Sequence, residues 1–247
     1  EQLSDIKSDL ISLKKKEKEF DLGTLEVTMK NIKEEDWANN WKKYFKPFAV
    51  GDKIIIKPSW EELKETTDKI VLKIDPAHIF GTGTHETTQL CIEFIEQFVK
   101  KEDTIFDIGC GSGILSIASL LLGASYADAI DIDVNAVDVA YENAKRNDID
   151  KKRYCVVAGN ILNDETLHKT YSSKKYDVVE ANIVADVIIA LSEQVPYYIK
   201  KQGTFICSGI IKQREQDVKI ALEKNRFTII DIKYKKDWVA IVSRYDG

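Results

Sequence analysis

Apolar positions recur along this chain with two periods, and the order in which the periods alternate outlines a fold. Leu3, Ile6, Leu10 and Leu13 fall three to four residues apart with lysines and glutamates between them, so residues 1–19 read as an amphipathic helix. Gly23 ends that pattern, and residues 24–32 (TLEVTMKNI) alternate as a strand. An aromatic-rich stretch over 34–58 follows, in which Trp37, Trp41 and Tyr44 share one helical face beside Phe45 and Phe48. It reads as a packing helix that joins two domains, with an aromatic wall over a site as the alternative. From Lys69 the pattern becomes regular. KIVLKID (69–75) reads as a strand, and residues 84–100 as a helix with Thr84 as N-cap. Strands at 104–108, 126–132, 153–158, 176–181 and 204–208 then alternate with helices beginning near Gly113, Val134, Asp164, Ile183 and Lys212. Two last strands, 227–234 and 238–243, lie close together. Alternation of this kind predicts an α/β fold: a Rossmann-like, mainly parallel sheet with an antiparallel C-terminal edge, preceded by a partial α+β segment.

Bulk properties narrow the function. The 247 residues suffice for one large domain with an attachment, and a net charge of −5 disfavours broad phosphate binding. Basic clusters at Lys14–Lys16, Lys151–Arg153 and Lys235–Lys236 read as solvated faces. Cys91, Cys110, Cys155 and Cys207 form no CxxC pair and read as reduced, mostly buried residues of a cytoplasmic protein. His78, His85 and His168 share no metal-ligand spacing, so no metal is expected. The apolar runs are too short for a membrane span.

Chemistry concentrates at Asp107-Ile-Gly109-Cys-Gly111-Ser-Gly113, which follows a predicted strand and opens a predicted helix. Glycines there let the backbone approach a ligand, and helix N-terminal amides face it. The spacing is DxGxGxG rather than the GxGxxG of dinucleotide binders, which counts against a nicotinamide oxidoreductase. Asp131 lies 131 − 109 = 22 positions after Gly109 at a strand end, where a carboxylate can accept from ribose hydroxyls. Asp133 reads as the N-cap of the next helix, and Gly159-Asn160-Ile161 as the flank of an adenine. Asn182 ends the fourth strand of the alternating series, at the lip where open α/β sheets bind ligands. Phe80, Gly81 and Thr82 open a loop (FGTGTHETT, 80–88) that reads as a cofactor lid. His85 within it is either a proton acceptor or a hydrogen-bonded structural residue.

The glycine turn resembles motif I of class I methyltransferases. Together with FGTGTHETT (80–88), DID (131–133), ANIVA (181–185), EDWANNWKKYF (35–45), SGII (208–211) and Trp238, it resembles the ribosomal protein L11 methyltransferase family. The resemblance implies S-adenosyl-L-methionine as cofactor, bound by Thr88, Gly109, Asp131 and Asn182, with Phe80, Gly81, Thr82, Gly111 and Asn160 beside them. It implies transfer to lysine side chains and an N-terminal amine of that large-subunit ribosomal protein by a monomer, with no direct nucleic acid or membrane partner. It also implies an N-terminal substrate-recognition domain of ferredoxin-like type, of which residues 1–33 are a remnant, a linker over 34–68 and a methyltransferase domain over 69–247. Asn182 is the expected catalytic residue, since its carbonyl oxygen can accept from an amine N–H. Glu180 puts a charge on a strand that is apolar in that family and requires a partner if buried. Alternatives are a nucleic-acid base methyltransferase, disfavoured because Ile183-Val184-Ala185 lacks the prolines and aromatic that a flipped base needs, and a non-catalytic module binding S-adenosylmethionine.

Overall fold

The structure, a computed structural model, describes residues 6, 8–10, 12–14, 45–63, 66–75, 81 and 83–247. Residues 1–44 and 45–247 form two compact units. In the first, the described residues, Ile6, Leu10 and Leu13 among them, are helical as the periodicity predicts. The expected strand at 24–32 and the helix carrying Trp37, Trp41 and Tyr44 lie outside the described residues.

The second unit opens with a three-stranded sheet in the order β1-β2-β3, built from β1 (Phe48–Val50), β2 (Ile54–Lys57) and β3 (Ile70–Lys73). β1 and β2 pair antiparallel, and β3 joins β2 in parallel. One expectation changes here: Phe48–Val50 and Ile54–Lys57, read as part of a linker over 34–68, are strands of the compact unit. The strand expected at 69–75 is β3 of this small sheet. Phe45 and Phe48 meet edge to face at 6.2 Å within the core of this unit instead of forming a wall over a cavity. The small sheet is held to α1 (Glu86–Phe98) by Glu96, whose carboxylate accepts from the Asp52 and Lys53 amides at 2.8 and 2.9 Å.

The main sheet has seven strands in the order β6-β5-β4-β7-β8-β10-β9. They are β4 (Thr104–Ile108), β5 (Tyr126–Asp131), β6 (Tyr154–Ala158), β7 (Tyr176–Asn182), β8 (Ile199–Ile211), β9 (Phe227–Lys235) and β10 (Trp238–Tyr245). The first five run parallel, while β10 pairs antiparallel with both β8 and β9. Between the strands come α2 (Ile114–Leu121), α3 (Val134–Arg146), α4 (Glu165–Ser172), α5 (Ala185–Ser192), α6 (Val195–Tyr198) and α7 (Glu215–Lys224). One apolar cluster, with Ile105, Ala129 and Val178, fills the face beneath α1 and α2; a second, with Phe106, Val179 and Phe205, fills the other. Phe106 stacks on Tyr171 at 4.7 Å and Tyr176 at 5.0 Å, which locks β4 against α4 and β7.

Helix ends follow local chemistry with one correction. Asp133 caps α3 by accepting from the Asn135 amide, as expected. The cap of α1 is His85, not Thr84, because the His85 ring nitrogen accepts from the Thr87 amide at 3.3 Å. The last helix begins at Glu215 after a 3-10 turn over Lys212–Arg214. β8 extends well beyond the expected 204–208 at both ends. Among the described residues no helix is long and apolar enough to cross a membrane.

Candidate functional site

The chain reverses direction across the sheet at β4: β5 and β6 lie on one side, β7 and the later strands on the other. At such a switch point the loops after adjacent parallel strands diverge and leave a crevice at their C-terminal ends. Here that crevice is a cavity of about 590 Å³, within the range that holds a nucleoside-sized ligand. Gly81, Thr88, Gly109, Gly111, Asp131, Asn160 and Asn182 all line it, so seven of the nine expected site residues meet in one place. Phe80 and Thr82 lie outside the described residues, as does His78.

The glycine turn is shaped by close approach. Gly109 has φ +80°, and a Cβ there would sit 2.5 Å from Cγ2 of Ile183, the residue after Asn182. The opposite wall repeats the device. Gly209 has φ +84°, and a Cβ would lie 2.3 Å from the Ile183 carbonyl oxygen. Ile183 is therefore wedged between two glycines from neighbouring strands, which fixes where Asn182 leaves β7.

Polar groups converge on the cavity. The Asp131 carboxylate accepts from the Gly111 amide at 2.7 Å and from the Asp133 amide at 2.9 Å, so it is oriented before any ligand arrives. Each of its oxygens keeps a further lone pair for a hydroxyl donor. The Asn160 side chain accepts from the Leu162 amide at 3.0 Å, which rigidifies the turn after β6. Asn182 Nδ2 donates to Thr88 Oγ1 at 3.3 Å. Asn182 Oδ1 is buried and has no hydrogen-bond partner among the described residues. An orphaned buried acceptor is costly, and its place in a cavity wall suits a ligand donor. His85 meets Trp238 edge to face at 4.9 Å, and both line the same cavity.

Beneath this floor lies a carboxyl pair. Asp107 on β4 and Glu180 on β7 are register partners, and both are fully buried. Asp107 Oδ2 accepts from the Ser116 amide and hydroxyl at 3.2 and 2.6 Å, tying β4 to α2 behind the glycine turn. Ser119 donates its hydroxyl to Glu180 Oε1. The expected partner of Glu180 is thus a serine, not a cation. Burial pushes Asp107 up to about 6. Burial, and then the Asp107 charge, hold Glu180 well above the usual carboxylate range. Asp107 Oδ1 and Glu180 Oε2 have no partner among the described residues.

Family comparison agrees with this geometry. The sequence model described as "Ribosomal protein L11 methyltransferase (PrmA)" matches residues 3–246. The chain belongs to the ribosomal protein L11 methyltransferase family. A relative of that name from Thermoanaerobacter pseudethanolicus is 44% identical over 225 residues, covering 91% of this chain and 70% of the relative. The crystal structure of a ribosomal protein L11 methylase from Lactobacillus delbrueckii subsp. bulgaricus superposes with a TM-score of 0.73 at 30% identity, over 81% of this chain and 100% of that one. The crystal structure of SMU.776 with S-adenosylhomocysteine shares the fold at 12% identity, with a TM-score of 0.57 over 66% of this chain and 50% of that one. Members of the family are S-adenosylmethionine-dependent protein methyltransferases, and the cradle fits that cofactor: a Cβ-free turn, an oriented carboxylate and an orphaned amide oxygen.

Sequence reasoning missed several contributors. Leu162 and Val187 line the cavity without a motif to mark them, and Thr87 and Gly209 stand in motifs that did not single them out. Gly209 stands in the SGII stretch, but its reason for being glycine, the Ile183 backbone, comes from a different strand. Trp238 carried the family resemblance, yet nothing local placed it beside His85.

Proposed function

We propose that this chain transfers methyl groups from S-adenosyl-L-methionine to lysine side chains and an N-terminal amine of ribosomal protein L11. The observation that carries the proposal is Asn182 Oδ1, a buried acceptor without a partner among the described residues, in a cavity that the glycine turn also lines. In this reading Gly109 and Gly111 hold the amino-acid end of the cofactor, Asp131 the ribose, and Asn160 flanks the base. Gly81 and Thr88 close the site, with Phe80 and Thr82 on the same loop.

The cofactor supplies a methyl carbon activated by the adjoining sulfonium. What remains for the protein is to present an amine lone pair. A free lysine, with a pKa near ~10.4, is mostly charged at neutral pH. Apolar walls at Ile114, Leu115, Ile183 and Leu191 disfavour that charge. Asn182 Oδ1 accepts one amine N–H and so directs the lone pair away from itself. Thr88 holds the Asn182 amide in that pose. Orientation in a water-poor cavity accounts for most of the remaining rate.

The reading extends to the rest of the chain. Residues 1–33 contribute to substrate docking, and the catalytic domain, expected over 69–247, takes in β1 and β2 as well and begins at Phe45. The enzyme acts as a cytoplasmic monomer, with neither nucleic acid nor membrane as a partner.

The test offers labelled cofactor separately to ribosomal protein L11 and to ribosomal RNA, with mass spectrometry of the protein. Methyl mass increments on L11 lysines are expected. Label in RNA alone overturns the substrate, and cofactor binding without transfer to either overturns catalysis.

A further inference from the structure

The reading of the cleft as a cofactor site rests on the proposal above, and two buried residues outside its lining bear on how the site is assembled. Ser112 lies within the glycine turn and Asn143 in the third turn of α3; both are 1% exposed. Neither is among the residues lining the cavity.

Asn143 joins two segments distant in sequence. Its Oδ1 accepts from the Asp75 amide at 3.1 Å, where the chain leaves β3. Its Nδ2 donates to the Ser112 carbonyl at 3.0 Å. Ser112 in turn donates its hydroxyl to the Gly81 carbonyl at 2.6 Å. Gly81 is pressed so close that a Cβ would lie 2.4 Å from the Ser112 oxygen. Asp75 and Gly81 are therefore each bonded to one of this pair of residues, which are bonded to each other. The neighbours reinforce the upstream anchor. Asn147 exchanges two hydrogen bonds with the Lys73 backbone, at 2.8 and 2.7 Å, and Arg146 pairs with Asp75 at 2.8 Å.

What the pair holds is specific. Gly81 and Gly111, the neighbour of Ser112, both line the cavity. Satisfying buried backbone groups alone would make the pair ordinary core polar residues. Here the groups satisfied belong to Asp75, to Gly81 in one part of the cavity wall and to Ser112 beside another. We propose that Ser112 and Asn143 are positioning residues that tie Asp75 and Gly81 to the glycine turn, and that cofactor affinity depends on this coupling. A ligand that touches both walls gains from their being preset, because the ordering cost is met during folding rather than on binding.

The test is calorimetric titration of the full chain with S-adenosylhomocysteine, comparing wild type, S112A, N143A and the double variant. S112A removes one hydroxyl and leaves every backbone partner in place. Its dissociation constant is expected to rise about tenfold, the scale of one buried hydrogen bond. The KM for S-adenosylmethionine should rise with it while kcat at saturation stays within about twofold, the pattern of lost uniform binding. The double variant should lose less than the product of the single losses. S112T, which restores the hydroxyl, should recover most of the affinity. A purely structural role lowers the melting temperature and leaves the dissociation constant of S112A unchanged; that result overturns the coupling. Should S112A fold poorly, amide exchange in the wild type decides. Joint protection of Gly83 and Ser116 on adding ligand supports the coupling, and protection of one alone overturns it. A wild type that gives no heat overturns the functional reading itself, and the coupling with it.

Discussion

Asn182 Nδ2 donates to Thr88 Oγ1 across 94 positions of sequence, at 3.3 Å, joining the end of β7 to the first turn of α1. That bond fixes which face of the Asn182 amide points into the cleft. It leaves Oδ1 as the acceptor that a substrate amine would meet.

Removing that acceptor should hurt turnover more than stability. Asn182→Ala is expected to lower kcat about 100-fold or more, the scale seen when one preorganised polar group is removed from a site. The melting temperature should change modestly, because Oδ1 has no partner among the described residues and the bond lost is the one from Nδ2 to Thr88. Thr88→Val should show a weaker version of the same loss, since it frees the amide without removing it. Single-turnover methyl transfer with saturating cofactor measures both.

Asp131→Asn should act on binding. The asparagine can still accept from one of the two amides that orient Asp131, but it loses the charge and one acceptor. The dissociation constant for S-adenosylhomocysteine should rise about 10- to 100-fold, as for one or two charge-assisted hydrogen bonds. Titration calorimetry reads it directly.

Gly209→Ala should unfold the site from behind. A Cβ at Gly209 would overlap the Ile183 backbone, and φ +84° strains any residue with a side chain. A loss of about 2–4 kcal/mol is expected, consistent with backbone strain plus overpacking. Chemical denaturation measures it. Wild-type stability in this variant would mean that Ile183 moves freely, contrary to its wedged position.

The buried carboxyl pair predicts an unusual pH dependence. Asp107 is raised to about 6, and Glu180 further above its ordinary range, relative to unfolded values near ~4. Between the unfolded and folded values the native state holds more protons than the unfolded chain. Stability contributed by the pair is therefore full below about pH 4 and is lost as pH rises through about 6 and beyond, with a slope of about 1.4 kcal/mol per unit for each proton retained. Glu180→Gln removes one titrating group and keeps the acceptor for Ser119. It should lose less stability than wild type as pH rises above the ordinary carboxylate range, as read by thermal unfolding across that range.

Much of this was legible from local pattern. The five parallel strands and Asp133 as a cap follow from periodicity and from short-range hydrogen-bond chemistry, because both act within a few residues. The glycine turn and Asp131 were legible because their spacing reflects one βαβ unit. What was not legible depends on contacts between distant segments. β3 alternates like any strand, yet its partner is β2, and nothing in residues 69–75 says which sheet it joins. Thr84 is the better capping residue by type, but the chain path gives the cap to His85. Glu180 is buried beside Asp107 because β7 pairs with β4, a register that no local signal encodes.

The most direct test of the central claim is a crystal structure of the chain with S-adenosylhomocysteine. The account predicts the sulfur between the Gly109 turn and Asn182, the ribose hydroxyls on Asp131, and Asn182 Oδ1 facing the space beyond the sulfur. A nucleoside bound elsewhere, or Asn182 Oδ1 turned away from the sulfur, would contradict it.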